Sequence, residues 1–571
     1  MKNIPLYEVR KVNDLRDMLG QSVKIFRDKT AFMIKKIRGE AYTNVTYKQF
    51  GEDVDAFGTA LVNLSGKGSR VAILAETRYE WYVSYLATTN GTGIVVPLDK
   101  ELPKQEIASL LNRSHADILI YSSSKQPTVS EIKEMVPSVK YYICMDQIEQ
   151  KGNEYFFESL LEKGKALLAD GNRDFMDAPI NVEEMTVLLF TSGTTAKSKA
   201  VMLSQKNICV NLEGMSSMTY IDPSDIFLSV LPIHHTYECT CGFLCPIYRG
   251  ATIAQCEGLR YITQNMKECK ATIILAVPLM LEMFHRAIMK KAKADKKMER
   301  KFNFGVGLTR FLRKIGIDKR RKIFKAVHDN FGGNLRMLIS GGAGIDPKIL
   351  LDMQNMGFLC IQGYGLTECA PILALNRDVD YNNRAAGLAL PGVDIKIVDK
   401  DENGIGEIIG KGPNIMLGYY EDDEATKEAI DTNGFFHTGD LGYLDENGFV
   451  IITGRKKNVI ISKNGKNIFP EEIESLLSRS PYVAESLVTG EDDNREDIIV
   501  TATIFPNMEE ITKKFGDNPD PDAIQALLDE ECDKVNELLV SYKHIRKVIF
   551  RDSEFEKTTS KKIIRKYKQT K

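Results

Sequence analysis

Small hydroxyl-bearing residues and glycine occupy positions 191–201, which read TSGTTAKSKAV. Side-chain hydroxyls and backbone N–H groups beside a glycine are donors with which loops hold phosphate. The run is not a Walker P-loop, because that motif needs glycine, four residues and then Gly-Lys-Ser/Thr, and here Ser198 follows the four residues after Gly193. The sequence therefore predicts a phosphate-binding loop of another kind.

A second stretch, HHTYECTCGFLC at 234–245, brings together side chains that can bind a metal: His234, His235, Cys239, Cys241 and Cys245. Tetrahedral zinc sites use such ligands, but their cysteines usually come in C-x-x-C pairs. Here the cysteines lie among large apolar residues, so we favour free thiols packed in a core over a zinc site. The chain's ten cysteines lack paired spacing, which indicates reduced thiols and a cytoplasmic location.

Short apolar runs with helical stretches between them must position these residues. The clearest runs lie at 70–76, 93–99, 116–122, 186–192 and 336–342. Several are apolar at consecutive positions, as strands covered on both faces are, and their alternation with helices predicts an α/β fold with parallel sheets. Ligands of such folds gather beyond the carboxyl ends of strands. The run at 186–192 leads directly into the hydroxyl-rich loop.

Length and composition limit the class of protein. At about 150 residues per domain, a chain of 571 residues corresponds to roughly three or four structural units. A hydrophobic content of 43% is ordinary for a globular protein, and a net charge of −2 predicts no general affinity for nucleic acid. The N-terminus carries charges throughout, so we expect no secretory signal, and no run reaches the ~18 apolar residues of a spanning helix.

The pattern of the sequence changes after about Gly406. Short predicted strands separated by glycines replace the alternation of strands and helices. A hairpin and then a helix beginning near Pro470 are predicted, because proline followed by Glu471 and Glu472 suits the first turn of a helix. We place a domain boundary at 455–457. This gives a large N-terminal domain at 1–455, with parallel and mixed sheets flanked by helices, and a small α+β domain at 456–571.

The segment 286–325 is strongly basic, with sixteen lysines and arginines against three acidic residues. Apolar residues, among them Phe304, Phe311 and Ile315, are interleaved with these charges. One interpretation is a solvated helical hairpin with an ordinary apolar face. The other is a surface that attracts anionic lipid headgroups and places the protein peripherally at the inner face of a membrane. Nucleic acid is disfavoured, because no recognised binding motif accompanies the charge.

Taken together, the glycine-rich segments resemble those of the adenylate-forming superfamily of acyl-CoA synthetases, luciferases and peptide-synthetase adenylation domains. The resemblance covers nearly the whole chain, with the motifs in the expected order. They are TSGTTAKSKAV (191–201), LPIHHTYE (231–238), LISGGAGI (338–345), QGYGLTE (362–368), GFFHTGDLGYLDENG (434–448) and GRKKNVIISKNGKNIFPEEIE (454–474). The basic insertion and the LPIHHTYE variant are similar to those of long-chain fatty acyl-CoA synthetases.

The resemblance implies ATP, Mg²⁺ and CoA as ligands and gives each matched residue a role. Phosphate contacts are implied for Thr191, Ser192, Gly193, Thr194, Thr195 and Lys199, and Mg²⁺ contacts for Thr191 and Glu368. Adenine contacts are implied for Gly341, Gly342, Ala343, Gly363, Tyr364, Gly365 and Thr367, and ribose contacts for Asp440 and Arg455. His235 would lie beside the reacting carboxylate. Taken singly, most of these residues would be interpreted as turn formers, caps or core residues.

The C-terminal domain carries the remaining implied roles. Lys457 would be the hinge of a mobile domain, and Gly465 would let the pantetheine arm of CoA pass close to the backbone. In EKTTSKKIIRK (556–566) the register makes Lys562 the catalytic lysine, with Lys561 as the alternative. Lys562 would bridge the carboxylate and the α-phosphate, two anions that must meet.

The chain departs from the family pattern in the first loop. Ala196, Ser198 and Ala200 stand where glycine, proline and glycine are usual, and alanine tolerates positive φ poorly, so we expect a different loop backbone. The favoured function is a long-chain fatty acid–CoA ligase. Alternatives are an acyl-carrier-protein or aryl-CoA ligase of the same superfamily, and a catalytically silent acyl- or nucleotide-binding protein.

Overall fold

A computed structural model describes residues 4–149, 151–191, 198–461, 466–492, 498–557 and 563–565. The strands are β1 (Thr30–Ile34), β2 (Thr43–Thr46), β3 (Ser69–Leu74), β4 (Gly93–Pro97), β5 (Ile118–Tyr121), β6 (Tyr141–Cys144), β7 (Glu154–Phe156), β8 (Met185–Thr191), β9 (Lys199–Ser204), β10 (Ile226–Ser229), β11 (Thr252–Gln255), β12 (Ile273–Ala276), β13 (Met337–Ser340), β14 (Leu359–Gly365), β15 (Ile372–Leu375), β16 (Leu388–Ala389), β17 (Asp394–Val398), β18 (Gly406–Lys411), β19 (Gly418–Tyr419), β20 (Phe436–Leu444), β21 (Val450–Arg455), β22 (Ile460–Ile461), β23 (Asn467–Ile468), β24 (Val483–Asp492), β25 (Ile498–Pro506) and β26 (Ile545–Phe550).

The α-helices are α1 (Leu15–Phe26), α2 (Tyr47–Ser65), α3 (Tyr79–Ala87), α4 (Lys104–Arg113), α5 (Gln126–Ile132), α6 (Phe157–Ala169), α7 (Gln205–Met218), α8 (Cys245–Arg249), α9 (Ile262–Cys269), α10 (Pro278–Ala292), α11 (Lys296–Lys314), α12 (Arg320–Ile323), α13 (Lys325–Asn330), α14 (Pro347–Asn355), α15 (Asp423–Ala429), α16 (Pro470–Leu477), α17 (Met508–Phe515) and α18 (Pro521–Asn536). Among the residues that the structure covers, no helix is both long and apolar enough to cross a membrane.

The chain divides into two compact units. The first unit comprises residues 1–395, 410–436 and 446–450, and the second comprises 396–409, 437–445 and 451–571. The second unit therefore takes in strands that precede position 455. The domain boundary that we expect at 455–457 stays a prediction, as does the hinge at Lys457.

One large sheet of the first unit has the strand order β19-β9-β8-β4-β3-β5-β6-β7. Strands β3 to β7 run parallel to their neighbours, and β4 also pairs with β8 in parallel. The pairing of β8 with β9 is antiparallel. The hydroxyl-rich loop therefore connects two neighbouring antiparallel strands rather than a strand and a helix.

The other large sheet of this unit has the order β16-β15-β14-β13-β12-β10-β11-β1-β2. Its central strands β10 to β14 pair in parallel, and β14 then meets β15 in an antiparallel pair. β12 and β13 are buried along their whole length. Such strands are covered on both faces, which explains their unbroken apolar sequence.

The second unit contains a hairpin, a helix and a small mixed sheet. β22 pairs antiparallel with β23, and α16 follows with Pro470 in its first turn and Glu471 and Glu472 behind it. The sheet has the order β24-β25-β26 and packs against α16 and α18 around buried apolar side chains. The hairpin and helix predicted from the sequence are confirmed, as is an α/β fold with a small α+β C-terminal part.

The basic segment is helical and unusually exposed. It covers the end of α10, all of α11 and α12, and the start of α13. Within α11, only Gly305 and Thr309 are buried, while Phe304 and Phe311 are 71% and 61% exposed. An ordinary amphipathic helix would direct such side chains into a core. The helix also has an inward face, where Phe302 packs 5.4 Å from the ring of Phe324, so both interpretations of the segment stay predictions.

Candidate active site

Glu368 lies in a short 3₁₀ turn, Thr367–Cys369, directly after β14. Asn211 of α7 secures this turn, because its side-chain amide donates to the carbonyls of Cys369 and Ile372, each at 2.9 Å. The backbone N–H of Met416 donates to the carbonyl of Glu368 at 2.8 Å. The turn is thus tied to α7 and to the segment before β19, and the Glu368 side chain is half-buried.

The Glu368 carboxylate has a direct side-chain partner. The hydroxyl of Tyr419 donates to its Oε1 at 3.0 Å. The Lys199 ammonium in turn lies 4.4 Å from the centre of the Tyr419 ring. Cation, ring and carboxylate therefore form a connected set within the first unit. Lys199 and Glu368 were predicted from the sequence to act on ATP, and Tyr419 was not.

Thr191 and Lys199 face each other at the open end of the β8–β9 pair. The Thr191 hydroxyl is 3.4 Å from the carbonyl oxygen of Lys199. Arg113 of α4 donates to the carbonyl of Ser198 at 2.9 Å and fixes the start of β9. The predicted phosphate ligands Ser192, Gly193, Thr194 and Thr195, together with Ala196, lie outside the described residues.

Ala200 has an extended backbone conformation that does not require glycine. It lies within β9, opposite Phe190, and is buried. Ala200 is absent from the positive-φ residues of the described chain. An extended strand accepts alanine without strain, and the expectation of a different loop backbone stays a prediction.

The predicted adenine motif begins where β13 ends. The N–H of Gly341 donates to the carbonyl of Ala276 at 3.0 Å, which continues the pairing with β12. A Cβ at Gly341 would lie 2.7 Å from the ring of Tyr237, so only glycine fits there without displacement. Tyr237 is held by a hydrogen bond from its hydroxyl to the Ile339 carbonyl at 2.8 Å. Gly342 has φ +86°, and Gly342 and Ala343 are exposed.

The second part of this motif lies in β14. Gly365 must be glycine, because a Cβ there would lie 1.8 Å from the carbonyl oxygen of Pro371. Gly363 packs against Leu375 of the neighbouring strand, and Tyr364 is buried. Since β13 and β14 are parallel neighbours with Ser340 opposite Gln362, the two predicted adenine segments leave the same edge of one sheet.

The rings of His234 and His235 are in contact, tilted by 43° with their centres 4.2 Å apart. Nε2 of His234 lies 3.5 Å from a carboxylate oxygen of Asp99. Burial, reinforced by His235, nevertheless lowers the pKa of His234 to about 3, so that this imidazole is neutral at physiological pH. The predicted substrate residue His235 is half-buried on the same loop.

Glu238 follows on an irregular π-helical stretch, Tyr237–Leu244, and is completely enclosed. The hydroxyl of Ser229 donates to its Oε1, while its Oε2 is buried and has no hydrogen-bond partner among the residues that the structure describes. Burial raises the pKa of this carboxyl to about 8. The cysteines of this stretch, Cys239, Cys241 and Cys245, are buried, and burial raises the pKa of each thiol. They pack as small apolar residues.

In the second unit, the predicted ribose ligands form an ion pair. Nε of Arg455 lies 2.9 Å from Oδ1 of Asp440, which is only 4% exposed. Nearby, Glu407 of β18 accepts from Lys456 at 2.9 Å and lies 3.3 Å from Nδ1 of His437, and the hydrogen bonds from these two side chains keep its pKa lowered despite burial. Lys457 follows in a short 3₁₀ turn, Lys456–Asn458, and is exposed.

Three predicted residues of the C-terminal region, Gly465, Lys561 and Lys562, lie outside the described residues. The described residues on either side of the two lysines, Lys557 and Ile563, form an antiparallel bridge. Arg565 makes a largely buried ion pair with Glu474 of α16 and donates to the carbonyl of Val488 at 3.1 Å. Arg565 was not singled out from the sequence.

Among the described residues no cluster of three or more histidines, cysteines or carboxylates could hold a metal by itself, so a divalent cation here would depend on ligands from the substrate. Mg²⁺ prefers carboxylate oxygen and is held in nucleotide enzymes by one or two carboxylates together with substrate phosphates. Glu368, with a rotation fixed by Tyr419 and a half-exposed side chain, fits this role. When bound, the cation would neutralise phosphate charge. Lys199 supplies a positive charge over the Tyr419 ring.

Comparison with known proteins identifies the family. The AMP-binding enzyme profile matches residues 19–420, and the AMP-binding enzyme C-terminal domain matches residues 472–562. The chain belongs to the AMP-binding enzyme family. This membership accounts for the order of the glycine-rich motifs along the chain.

Curated relatives of this AMP-binding enzyme include two long-chain-fatty-acid–CoA ligases. Ligase 5 of Rattus norvegicus is 29% identical over 489 residues, which cover 79% of this chain and 70% of the relative. FadD15 of Mycobacterium bovis is 27% identical, with 95% of this chain and 93% of the relative covered. Together with the family match, they support an AMP-forming acid–thiol ligase, which activates a carboxylic acid as its adenylate.

Solved structures share the fold. ATP-bound MatB from Rhodopseudomonas palustris has a TM-score of 0.72 at 25% identity, with 96% of this chain and 97% of that chain covered. The anthranilate CoA ligase AuaEII in complex with anthranoyl-AMP has a TM-score of 0.75 at 20% identity and covers 99% of this chain. At that identity the likeness concerns the fold alone.

Proposed function

We propose that this enzyme is a long-chain fatty acid–CoA ligase. A carboxylate oxygen of the fatty acid attacks the α-phosphorus of ATP, the bond to pyrophosphate breaks, and acyl-adenylate forms. The CoA sulfur then gives up its proton and attacks the acyl carbon, and AMP leaves. The observation that supports this choice most is the match to a long-chain ligase over 95% of the chain.

The arrangement of charge in the first unit suits the first half-reaction. Two anions must approach to within ~3–3.5 Å, so fixed positive charge must be present before they meet. We propose that Lys199 and Mg²⁺ on Glu368 supply it at the phosphates and that Lys562 supplies it between the carboxylate and the α-phosphate. His234 is neutral, so the loop that carries His235 gains no charge from it.

We propose, further, that residues 456–571 present Lys562 and then the loop containing Gly465 in turn, with Lys457 as the hinge. The two half-reactions need different groups from this region, because adenylation needs a cation and thioester formation needs a passage for the thiol. Such gating by a short hinge is common among enzymes with closing domains.

Palmitate-dependent exchange of labelled pyrophosphate into ATP tests the first half-reaction. We expect activity that rises with chain length towards roughly C12–C18, because each buried methylene contributes about 0.8 kcal/mol. Benzoate should be a poor substrate, and preference for it over palmitate would favour an aryl-CoA ligase. Absence of exchange with every acid would favour a silent binding protein. Comparing CoA with a phosphopantetheinylated carrier protein as acceptor then identifies the thiol substrate.

Lys562→Ala should reduce pyrophosphate exchange by orders of magnitude and leave thioester formation from supplied palmitoyl-adenylate almost unchanged. Lys561→Ala is the matched control, since it removes the same charge at the adjacent position. If Lys561→Ala shows the large effect instead, the assignment of the catalytic lysine is wrong while the proposed reaction stands.

We also propose that α11 contacts an anionic lipid surface. Phe304 and Phe311 are seven positions apart and so lie on one face of the helix, and both are exposed. The preceding turns of the same face carry three basic residues, Lys297, Arg300 and Lys301, and all three are exposed. Basic residues with aromatic side chains on one helix are typical of binding to anionic membranes.

Flotation with vesicles of phosphatidylglycerol and phosphatidylcholine tests this contact. Binding should weaken as salt rises, because exposed charges are screened beyond about 10 Å at 0.1 M salt. Replacing Lys297, Arg300 and Lys301 with glutamine should remove most binding and leave turnover of short soluble acids intact. Glutamine at three exposed lysines of other helices, Lys104, Lys163 and Lys513, is the control. Equal binding to neutral vesicles would contradict the electrostatic part of the proposal.

A further inference from the structure

We propose that Tyr419 is a positioning residue for Glu368, which it holds in the orientation that receives the divalent cation of metal–ATP. The inference rests on the proposed function only in taking ATP and a divalent cation as ligands. Tyr419 lies 51 positions after Glu368 in the sequence, yet its hydroxyl donates to Oε1 of that carboxylate at 3.0 Å.

The hydrogen bond restricts the rotation of the carboxylate. A half-exposed glutamate otherwise samples several rotamers, and a ligand must then remove that freedom on binding. Because the Tyr419 hydroxyl is bonded to Oε1, the orientation of the other carboxylate oxygen, Oε2, is set as well. Residues behind a metal ligand orient it in this way, and their loss commonly lowers metal affinity by about 10–100-fold.

The Tyr419 ring is itself firmly placed. It is 5% exposed, and its strand pairs with β9 through Val201 and Met202. The Tyr419 N–H donates to the hydroxyl of Thr426 at 2.8 Å.

Lys199 is the third member of the arrangement. Its ammonium lies 4.4 Å from the ring centre of Tyr419, within the range of a cation–π contact. Lys199 is also the first residue of β9, which returns from the hydroxyl-rich loop. Tyr419 therefore connects the strand that ends this loop with the turn that carries Glu368.

Binding of Mn²⁺–ATP without a fatty acid tests the inference, because no turnover is then required. Free and bound Mn²⁺ are separated by electron paramagnetic resonance. Tyr419→Phe keeps the ring and its contact with Lys199 and removes only the hydroxyl. We expect the Kd for Mn²⁺ in the presence of ATP to rise by about tenfold or more, with the Kd for ATP in chelator almost unchanged.

Tyr420→Phe is the matched control. The Tyr420 hydroxyl accepts a hydrogen bond from Arg70 at 2.8 Å, so this variant also removes one tyrosine hydroxyl from the same segment. It should bind Mn²⁺ as the parent protein does. A parallel loss in both variants would mean that the segment is disturbed as a whole and would overturn the inference.

A double variant separates positioning from packing. If Tyr419 acts through Glu368, Tyr419→Phe should add less than about twofold to the effect of Glu368→Gln, since residues acting as one unit are not additive. Full additivity, or unchanged Mn²⁺ binding in Tyr419→Phe, would overturn the inference. If the parent protein binds no Mn²⁺–ATP at all, the failure lies in the proposed function instead.

Discussion

The first unit contains two pairs of tyrosine and glutamate that are built from the same side-chain types and differ in their surroundings. In one pair the Tyr82 hydroxyl donates to Ser229, whose hydroxyl donates to Glu238. In the other, Tyr419 donates directly to Glu368 and carries Lys199 on its ring. Glu238 is wholly enclosed, whereas Glu368 is half-exposed.

This difference assigns the two acids to different tasks. Glu238 lacks any described cation beside it and has a pKa raised to about 8 by burial, so it is mostly protonated near neutral pH and behaves as a neutral hydrogen-bonding group. Glu368 keeps access to solvent and has a cation near its partner, which suits a carboxylate that binds a metal. Replacing each glutamate with glutamine removes the charge and keeps the shape, and so tests the comparison directly.

The largest effect is expected for Glu368→Gln. Loss of the carboxylate should lower palmitate-dependent pyrophosphate exchange by about 100-fold or more, because one fixed electrostatic group at such a site commonly contributes 10²–10³ in rate. The midpoint of thermal unfolding should change little, since the side chain is half-exposed. Glu238→Gln is the matched control and should retain exchange within about threefold of the parent rate. Similar losses in the two variants would refute the contrast.

A smaller effect is expected for Lys199→Gln, which removes the cation from the Tyr419 ring. Lys199 is proposed to supply positive charge at the phosphates of ATP, and a loss of about 1–2 kcal/mol there corresponds to roughly 5–30-fold in kcat/KM for ATP. Lys206→Gln is the control, because Lys206 lies on α7 and pairs only at the surface with Glu183. An unchanged kcat/KM in Lys199→Gln would show that the cation is not needed at the ring.

Much of the framework was predictable, because consecutive apolar residues are required wherever a strand is covered on both faces. The runs at 70–76, 93–99 and 116–122 became β3, β4 and β5. The direction of β9 relative to β8 was not predictable, because an apolar run such as that of β9 can follow β8 either in an antiparallel hairpin or after a crossover. The described residues show the hairpin.

The contacts within the site were harder to predict than its motifs. Tyr419 is 51 positions from Glu368, and Arg565 is 91 positions from Glu474. No local pattern connects such pairs, because the fold brings them together. The glycines of the adenine motif were found by resemblance, whereas the reason for Gly341 is the ring of Tyr237, which only the structure reveals. The exposure of Phe304 and Phe311 likewise could not be derived from hydrophobic periodicity.

The smallest effect on activity and the most distinctive effect on stability are expected for Glu238→Gln. The pKa of Glu238 rises from 4.5 to about 8 in the folded protein, so between these values the folded state keeps a proton that the unfolded state releases. The contribution of Glu238 to the free energy of unfolding is therefore fully present below about pH 4.5 and is lost as pH rises through about 8. A glutamine side chain has no such proton to lose. The midpoint of thermal unfolding of Glu238→Gln should therefore rise relative to that of the parent protein as pH rises.

Thermal unfolding at a single scan rate checks this prediction between pH 5 and pH 8.5. We expect nearly equal midpoints at the lower pH and a midpoint about 2–4 °C higher for Glu238→Gln at the upper pH, since a few kcal/mol shifts the midpoint of a large unit by only a few degrees. Glu446→Gln, at an exposed glutamate, should show no such trend. A constant difference at every pH would mean that Glu238 is charged in the folded protein, and the two glutamates would then differ in exposure without differing in protonation.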